Sequence, residues 1–267
     1  LAPEAVQGTQ PVPDARLMLP ALFVSHGAPT LPFDDIPART FLKGLGATMP
    51  KPKGIVIATA HWETQAPAVN RVAVNGTIHD FQGFPKPLYE LTYPAPGDAA
   101  LSDRVAALIG ADVDNRRGLD HGAWVPLMLI YPAHDIPVVQ IAVQTRMGVA
   151  HHIDIGRKLA PLRDDGILVI GSGSFVHNLR LLDRRGPDAP EPEWSKQFSG
   201  WLNAALLARD DDALVHYRER APHAVQAHPE EEHLLPLFVA YGAGANAKHI
   251  HDSVTFGSLR MDAYSFA

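Results

Sequence analysis

Histidine residues follow three apolar segments of the chain, each of which is predicted to be a buried β-strand. His26 directly follows the first segment, and His61 directly follows the second. His177 comes six residues after Gly171, the residue that follows the third segment. Because ligands of open α/β sheets bind beyond the carboxyl ends of the strands, the three side chains are candidates for one cleft. Imidazole binds transition metals and exchanges protons near neutral pH, so metal or acid–base chemistry is predicted there.

Two further histidines lie in polar segments that precede apolar ones. His121 stands in an Asp-His-Gly sequence just before the apolar segment at Trp124, where it could serve a cleft or cap a helix. His233 ends an acidic segment in which Pro229 suits the first position of a helix and Glu230–Glu232 suit its first turn. We therefore interpret the three glutamates as a helix N-terminus, and His233 as a residue of either the core or the cleft.

The composition limits the chemistry that these side chains can support. The 267 residues include 14 histidines and no cysteine, which excludes disulfides, thiolate metal sites, iron–sulfur clusters and cysteine nucleophiles. A lone histidine in a loop is more often structural. Here three histidines follow strands, and no cysteine is available as a ligand. The sequence therefore supports two alternatives equally: one shared functional site, or separate structural roles for the three histidines. Any transition-metal site must use imidazole and carboxylate ligands, a set that suits Zn, Fe(II), Cu or Ni.

The charge and hydropathy of the chain exclude two classes of partner. The net charge of −6 offers no basic surface for nucleic acid. No apolar run reaches the roughly 18 residues of a membrane-spanning helix. The absence of cysteine is compatible with a reducing compartment, and we expect a cytoplasmic location.

Motifs of other enzyme classes are incomplete in this sequence. Gly171–Ser174 follows a strand as a phosphate-binding loop does, but no Gly-Lys-Ser/Thr follows, and Val176 takes the third glycine position of a dinucleotide-binding motif. The same segment lacks the Gly-x-Ser-x-Gly pattern of serine hydrolases. His228 and His233 are five residues apart, whereas the zinc ligands of a metalloprotease helix are four apart. The residues alone therefore predict a histidine-ligated metalloenzyme, either an oxygenase or a hydrolase.

The elements that must position these side chains alternate between strand and helix. Predicted strands cover 21–25, 54–60, 72–74, 137–143, 166–170 and 251–256. Predicted helices cover 34–49, 98–109, 124–131, 150–162, 193–208 and 229–241. The longer strands are apolar throughout, which is typical of strands buried on both faces. The pattern predicts an α/β fold, a single domain with a largely parallel or mixed central sheet flanked by helices.

Two segments fall outside this alternation. Residues 1–18 are polar and rich in proline, and we interpret them as an extended N-terminal arm before a single domain of residues 19–267. Residues 79–97 contain four prolines and are long for an idle connection. A lid or a binding loop is therefore predicted over this second segment.

Six sequence blocks between Leu19 and the C-terminus resemble those of the class III extradiol dioxygenases, and among these the 4,5-DOPA extradiol dioxygenase-like branch. The blocks are SHGAPT, AHW, FPKPLYELTYPAPG, DHGAWVPL, GSGSFVHNL and HPEEEHLLPLFVAYGA. They occur in the family's order and leave only the N-terminal arm unmatched. The resemblance is specific for the family and much less specific for the substrate.

The resemblance implies an α/β catalytic domain that uses non-haem Fe(II) and O₂ to open a catechol ring beside its two hydroxyls. The partners would be a small aromatic diol and O₂, and the product a muconic semialdehyde. His26 and His61 match the two family histidines that hold the metal, and His233 matches the third ligand. Relatives that cleave protocatechuate have Glu at this third position, which gives a two-histidine, one-carboxylate set. Three neutral imidazoles also suit Zn, so Fe(II) and Zn are both candidates.

Two more histidines match residues that act on the substrate in this family. His177 matches the acid–base histidine and is a candidate fourth metal ligand when no substrate is bound. The ordinary histidine pKa, near 6.5, suits the removal and later return of a catechol proton. His121 matches a histidine that hydrogen-bonds the substrate or the reacting oxygen. In the proline-rich loop, Tyr89, Tyr93 and Pro94 are candidates to cover the ring.

Two other functions stay open on the sequence. A Zn-dependent hydrolase would use the same histidines to activate water. A non-enzymatic relative would bind an aromatic ligand tightly without turnover. Metal analysis together with O₂ uptake in the presence of a catechol separates these functions. The natural catechol, the native metal and the oligomeric state are not fixed by the sequence.

Overall fold

The computed structural model describes residues 18–267, so the predicted N-terminal arm lies, except for Met18, outside the described residues. The strands are β1 (Ala21–Ser25), β2 (Gly54–Glu63), β3 (Ala68–Asn70), β4 (Asp112–Asp114), β5 (Val138–Val143), β6 (Ile167–Gly173), β7 (Ala247–His251), β8 (Val254–Thr255), β9 (Leu259–Arg260) and β10 (Ala263–Phe266). The α-helices are α1 (Pro37–Leu45), α2 (Ala99–Ile109), α3 (His121–Ile130), α4 (Gly148–Leu159), α5 (Glu193–Ala208), α6 (Asp211–Val215), α7 (Tyr217–Arg220), α8 (Ala224–Ala227) and α9 (Leu235–Ala243). Within residues 18–267, no helix combines the length and apolar character that a membrane crossing requires.

One mixed sheet forms the centre of the molecule, with the strand order β4-β3-β5-β2-β6-β1-β10-β7. The four central strands β5, β2, β6 and β1 run parallel to one another. At one edge, β10 pairs antiparallel with β1, and β7 pairs antiparallel with β10. Towards the other edge, β3 pairs antiparallel with β5 and parallel with β4. Strands β8 and β9 form a separate two-stranded ribbon. The arrangement confirms the predicted α/β fold with a mixed central sheet.

The central strands are apolar because both of their faces are buried. Along β2, Ile55 and Ile57 belong to one core, and Val56 and Ala58 belong to the other. Side chains on a strand alternate between the two faces, so a strand between two cores must be apolar at every position. Helices α1 and α3 contribute to the first core, and α2, α4, α5 and α9 contribute to the second. The two helical layers hold the carboxyl ends of the parallel strands in fixed positions.

The prediction of a helix over 229–241 is wrong at its start, since α9 begins only at Leu235. Residues 229–234 form bends and a turn instead. A helix from Pro229 would place Pro236 in its interior, where the proline ring clashes with the carbonyl of Glu232. In the observed helix Pro236 lies in the first turn, a position that proline tolerates. The interpretation of Glu230–Glu232 as the first turn of a helix is therefore also wrong.

Two predicted strands differ from those observed. The segment 72–74 is not a strand; Val74 is exposed and forms only an isolated bridge with Pro96. The strand lies earlier, at β3, where the buried Val69 pairs with Ile141 of β5. The segment 251–256 is divided between the end of β7 and β8, and the C-terminal strand β10 is missing from the prediction. These strands are two to five residues long, too short for their apolar pattern to be read along the chain.

Candidate metal centre

Three histidines from different parts of the chain converge at the carboxyl ends of the parallel strands. His26 directly follows β1, His61 lies near the end of β2, and His233 lies in the turn before α9. One ring nitrogen of each lies within 4.8 Å of one nitrogen of both others. The Nε2 atoms of His26 and His61 are 3.0 Å apart. The structure thus brings together the three residues that the resemblance assigns to the metal.

The outward nitrogen of His26 is held by a serine, which fixes the proton on that nitrogen. The Ser172 hydroxyl donates to the Gly122 carbonyl at 2.5 Å, so its oxygen accepts from Nδ1–H of His26 at 3.1 Å. In the neutral His26 ring the lone pair is then on Nε2, the atom that faces His61. The serine therefore prepares His26 as a ligand through Nε2.

Carboxylates lie behind the other two rings. His233 donates its Nδ1–H to Glu232 at 2.8 Å, and Nδ1 of His61 lies 3.6 Å from the Asp80 carboxylate. Each of the three histidines thus has a polar partner at Nδ1. Two Nε2 lone pairs 3.0 Å apart repel each other unless a cation or a proton lies between them. Two nitrogen ligands at about 2.1 Å are roughly 3.0 Å apart around an octahedral ion and roughly 3.4 Å apart around a tetrahedral one, so the donor set fits a divalent transition metal.

Burial keeps the three imidazoles neutral. It lowers the pKa of His26 and of His233 well below the ordinary value, and neighbouring histidines add to both shifts. Burial, with the nearby His121, lowers the pKa of His61 to about 3. A histidine binds a metal only in its neutral form, so at neutral pH no proton has to be removed before an ion binds.

His177 lies beside this cluster, on the loop that follows β6. Its ring stacks on that of His233, with 3.4 Å between the centroids and 12° between the planes. The backbone N–H of His177 donates to the Ala227 carbonyl at 3.0 Å, which anchors the loop. Burial and the nearby His121 lower the pKa of His177 to about 4. The residue is therefore a neutral base at the edge of the cluster.

His121 is the first residue of α3 and faces the same cluster. Its ring centroid is 3.9 Å from that of His61 and 5.4 Å from that of His26. Its Nδ1–H and its backbone N–H both donate to Asp80, at 2.9 and 3.0 Å. The helix cap is the preceding residue, Asp120, whose side chain accepts from the N–H of Ala123. The alternative of His121 as a helix cap is therefore wrong.

A buried polar network beneath His61 ties α3 to the sheet. The Asp120 carboxylate accepts hydrogen bonds from Thr59 at 2.9 Å, from Arg117 at 2.9 Å and from Gln140. Arg117 also donates to the backbone carbonyl of His61 at 3.3 Å. These contacts join β2, β5 and α3, so the positions of His61 and His121 depend on each other.

The end of β6 holds two of the three converging histidines through their backbones. The N–H of His26 donates to the Gly173 carbonyl at 3.0 Å, and the N–H of Ser174 donates to the His233 carbonyl at 2.9 Å. A Cβ atom at Gly173 would lie 2.0 Å from that same His233 carbonyl oxygen. Only glycine permits this approach between the strand and the turn before α9.

An aromatic wall lies next to His121. We use this name for Phe81 and the three rings around it. The ring centroids of Phe84, Tyr89 and Trp124 lie 5.2–6.3 Å from that of Phe81. The Phe81 ring is 5.8 Å from that of His121. The predicted role of Tyr93 is wrong, because that ring is buried in the core and its hydroxyl donates to the Tyr131 carbonyl at 3.0 Å. From the same loop, Tyr89 and Phe81 lie on the side of the histidines instead.

His228 and Glu232, which the sequence analysis did not assign to the site, lie in different surroundings. His228 is fully buried, and its Nε2 donates to the Phe175 carbonyl at 3.0 Å, so it belongs to the scaffold. Glu232 lies in the site as the partner of His233. Asp80, Ser172 and Phe81 were missed as site residues. Ser172 alone carried a usable signal, since it lies at the end of a buried strand that leads to His177.

Comparisons with known proteins agree with this geometry. Residues 21–266 match the family described as the catalytic LigB subunit of aromatic ring-opening dioxygenase. The chain is 43% identical to the 4,5-DOPA dioxygenase extradiol of Beta vulgaris, over 91% of this chain and 95% of that protein. It is 38% identical to the protein of the same name from Escherichia coli K12, over 91% and 93%. A crystal structure of an uncharacterised E. coli K12 protein superposes with a TM-score of 0.78 at 33% identity, covering 93% of this chain and all of that one. The chain therefore belongs to the LigB family of aromatic ring-opening dioxygenases and is an enzyme of the extradiol ring-cleaving class.

Proposed function

We propose that the chain is a non-haem Fe(II) dioxygenase that opens a catechol carrying an amino-acid or similar short side chain, to give a muconic semialdehyde. The observation that carries the proposal is the convergence of His26, His61 and His233. Nδ1 of His26 and of His233 is hydrogen-bonded, and Nδ1 of His61 lies 3.6 Å from a carboxylate. The relatives named 4,5-DOPA dioxygenase extradiol support a DOPA-like substrate.

The three imidazoles would hold the metal through neutral nitrogens. Fe(II) bound there would supply open positions for both catechol oxygens and for O₂, and would pass electrons between the ring and O₂. The protein contributes the placement of the ligands. Ser172 and Glu232 fix the orientation of His26 and His233, so the donor set needs little rearrangement when an ion binds.

His177 would accept a proton from a catechol hydroxyl. The ring is neutral, since burial lowers its pKa to about 4, and it lies directly against the ligand His233. Among residues 18–267, no side-chain hydrogen bond occupies its ring nitrogens, so one of them is available to the substrate. A base held at hydrogen-bond distance could take the hydroxyl proton and return it at a later step.

His121 and Phe81 would orient the ring. With Nδ1–H of His121 donated to Asp80, Nε2 is the ring atom left for a substrate oxygen. The Phe81 ring, next to it, offers an apolar face to an aromatic ring and excludes water from one side. The arrangement matches a flat substrate with a polar edge and an apolar body, which describes a catechol.

Oxygen uptake tests this proposal. Metal-free enzyme is loaded anaerobically with Fe(II) and mixed in an O₂-electrode chamber with DOPA and with catechols of different side chains. We expect O₂ uptake that requires Fe(II) and produces a yellow ring-opened product. A chain that takes up no O₂ with any catechol while it holds one Fe(II) contradicts the proposal.

The donor set itself favours one other candidate. Three neutral imidazoles without a carboxylate ligand are a set that holds Zn, which could activate water for hydrolysis. Family membership favours ring opening instead. Ester and amide hydrolysis by the Zn-loaded enzyme, measured beside O₂ uptake by the Fe(II)-loaded enzyme, separates the two functions.

A further inference from the structure

One carboxylate, that of Asp80, faces two histidines of the centre. Its Oδ1 accepts from Nδ1–H of His121 at 2.9 Å and from the backbone N–H of the same residue at 3.0 Å. Its Oδ2 lies 3.6 Å from Nδ1 of His61. Asp80 therefore holds His121 by two hydrogen bonds and places negative charge beside Nδ1 of His61.

The position of Asp80 is itself fixed by the chain around it. The N–H of Ile78 donates to the Leu119 carbonyl at 2.8 Å, and the Ile78 carbonyl accepts from Nε1 of Trp124 at 3.0 Å. These bonds attach the segment to the start of α3. With two further bonds to His121, the carboxylate has little freedom to move. A fixed carboxylate beside Nδ1 of His61 favours one orientation of that ring, whereas a mobile carboxylate would not.

The charge of Asp80 complements the donor set. His26, His61 and His233 are neutral ligands, so a divalent ion between them would bring its full charge into a buried site. A carboxylate behind a ligand histidine offsets part of that charge, fixes the ring and makes its other nitrogen a better donor. Glu232 holds the corresponding place behind His233. The two carboxylates thus flank the three imidazoles.

We propose that Asp80 is a positioning residue of the ring-opening reaction, which aligns the ligand His61 with His121 and supplies negative charge to a three-imidazole metal centre. Its effect on His121 rests on the proposed function. Its effect on metal binding does not, and can be measured without any substrate.

Zinc affinity tests the proposal first. Asp80→Asn keeps an oxygen for His121 and removes the charge. Asp103→Asn is the control, since it removes the same charge from an exposed pair with Arg71. Metal-free proteins compete with a chromophoric chelator for Zn²⁺. We expect Asp80→Asn to bind Zn²⁺ about 10–100-fold more weakly than wild type, and Asp103→Asn to match wild type. Circular dichroism of the metal-free proteins at the assay temperature checks that both variants are folded.

Two results would overturn the proposal. One is Asp80→Asn affinity within about twofold of wild type, which would leave the carboxylate with no role at the centre. The other is a complete loss of stoichiometric Zn²⁺ at saturation, which would make Asp80 a ligand. If Asp80→Asn does not fold, the size-matched pair Asp80→Glu and Asp80→Gln repeats the comparison, with tighter Zn²⁺ binding expected for Glu.

Steady-state kinetics then test the alignment of His121. With Fe(II) at saturation, we expect Asp80→Asn to lower kcat at least about 10-fold and to change KM by less than about threefold. Equal kcat values would contradict the alignment. If wild type opens no catechol, the proposed function fails, while the Zn²⁺ comparison still decides the role of Asp80 at the metal.

Discussion

At the level of single residues, the geometry of the centre depends on the hydrogen-bond partner of Nδ1 in each imidazole. His26 is held by Ser172, His233 by Glu232, and His121 by Asp80. These partners place the Nδ1 proton and leave Nε2 for the centre. The chemistry of the site therefore depends on the partners of the histidines as well as on the histidines themselves.

The roles of His177 and of the ligands separate in a pair of variants. We expect His177→Ala to retain the metal and to lose turnover by about 10²–10⁴-fold, because it would lack the proposed proton acceptor and keep the three proposed ligands. His61→Ala should lose the metal. Metal content after dialysis and O₂ uptake are measured on both. Equal metal loss in the two variants would make His177 a ligand first and a base second.

At the scale of the elements, the site is made where strand ends approach the starts of helices. The end of β6 contacts the turn before α9 so closely that Gly173 cannot carry a side chain. Helix α3 begins beside β2, with Asp120 as its cap and as the acceptor of a buried network. The distances between the ligands are therefore set by backbone contacts.

Substitution at Gly173 tests this statement. Gly173→Ala should destabilise the protein by about 1–3 kcal/mol, because its Cβ would overlap the His233 carbonyl and force the turn to move. Zn²⁺ affinity should fall with it. Gly44→Ala is the control, since that glycine lies in α1 with nothing within 4 Å of the added atom. The control should be stabilised by roughly 0.5–1 kcal/mol. Denaturant unfolding that shows equal effects would contradict the account.

The sequence predicts an element more accurately when its apolar pattern is longer. Strands β1, β2, β5 and β6 were predicted because the residues along each of them are mostly apolar in succession. The start of α9 was wrong because Pro229 and Pro236 are both acceptable first-turn residues when taken separately. Asp80 could not be predicted, since its partners are 19 and 41 residues away and only the fold brings them together. The histidines were predictable because strand ends meet at one edge of a sheet.

At the scale of the whole molecule, the fold keeps several histidines buried and neutral. His152 is one that lies outside the metal centre. Its Nδ1–H donates to the Gly148 carbonyl at 2.7 Å, and its Nε2 accepts from the Gln144 N–H at 3.1 Å. Burial lowers the pKa of His152 to about 4, although the bond to Gly148 opposes the shift. Protonation of the ring would break the bond to Gln144.

This burial predicts acid sensitivity. The unfolded chain takes up a proton on His152 near pH 6.5, and the folded chain only near pH 4, so the unfolded state binds more protons between these values. Stability therefore falls as the pH is lowered through this window, by at most about 3 kcal/mol from this residue. Urea unfolding of the metal-free wild type and of His152→Gln at several pH values checks this. Parallel pH profiles for the two proteins would contradict it.

The proposed function requires that one Fe(II), held by His26, His61 and His233, opens a catechol with O₂. The most direct measurement is the stoichiometry of a single experiment that follows Fe(II) bound, O₂ consumed and DOPA lost, in wild type and in His233→Ala. We expect one Fe(II) per chain, one O₂ consumed per DOPA opened, and loss of both metal and turnover in the variant. Full turnover in His233→Ala, or O₂ uptake without loss of the aromatic ring, would contradict it.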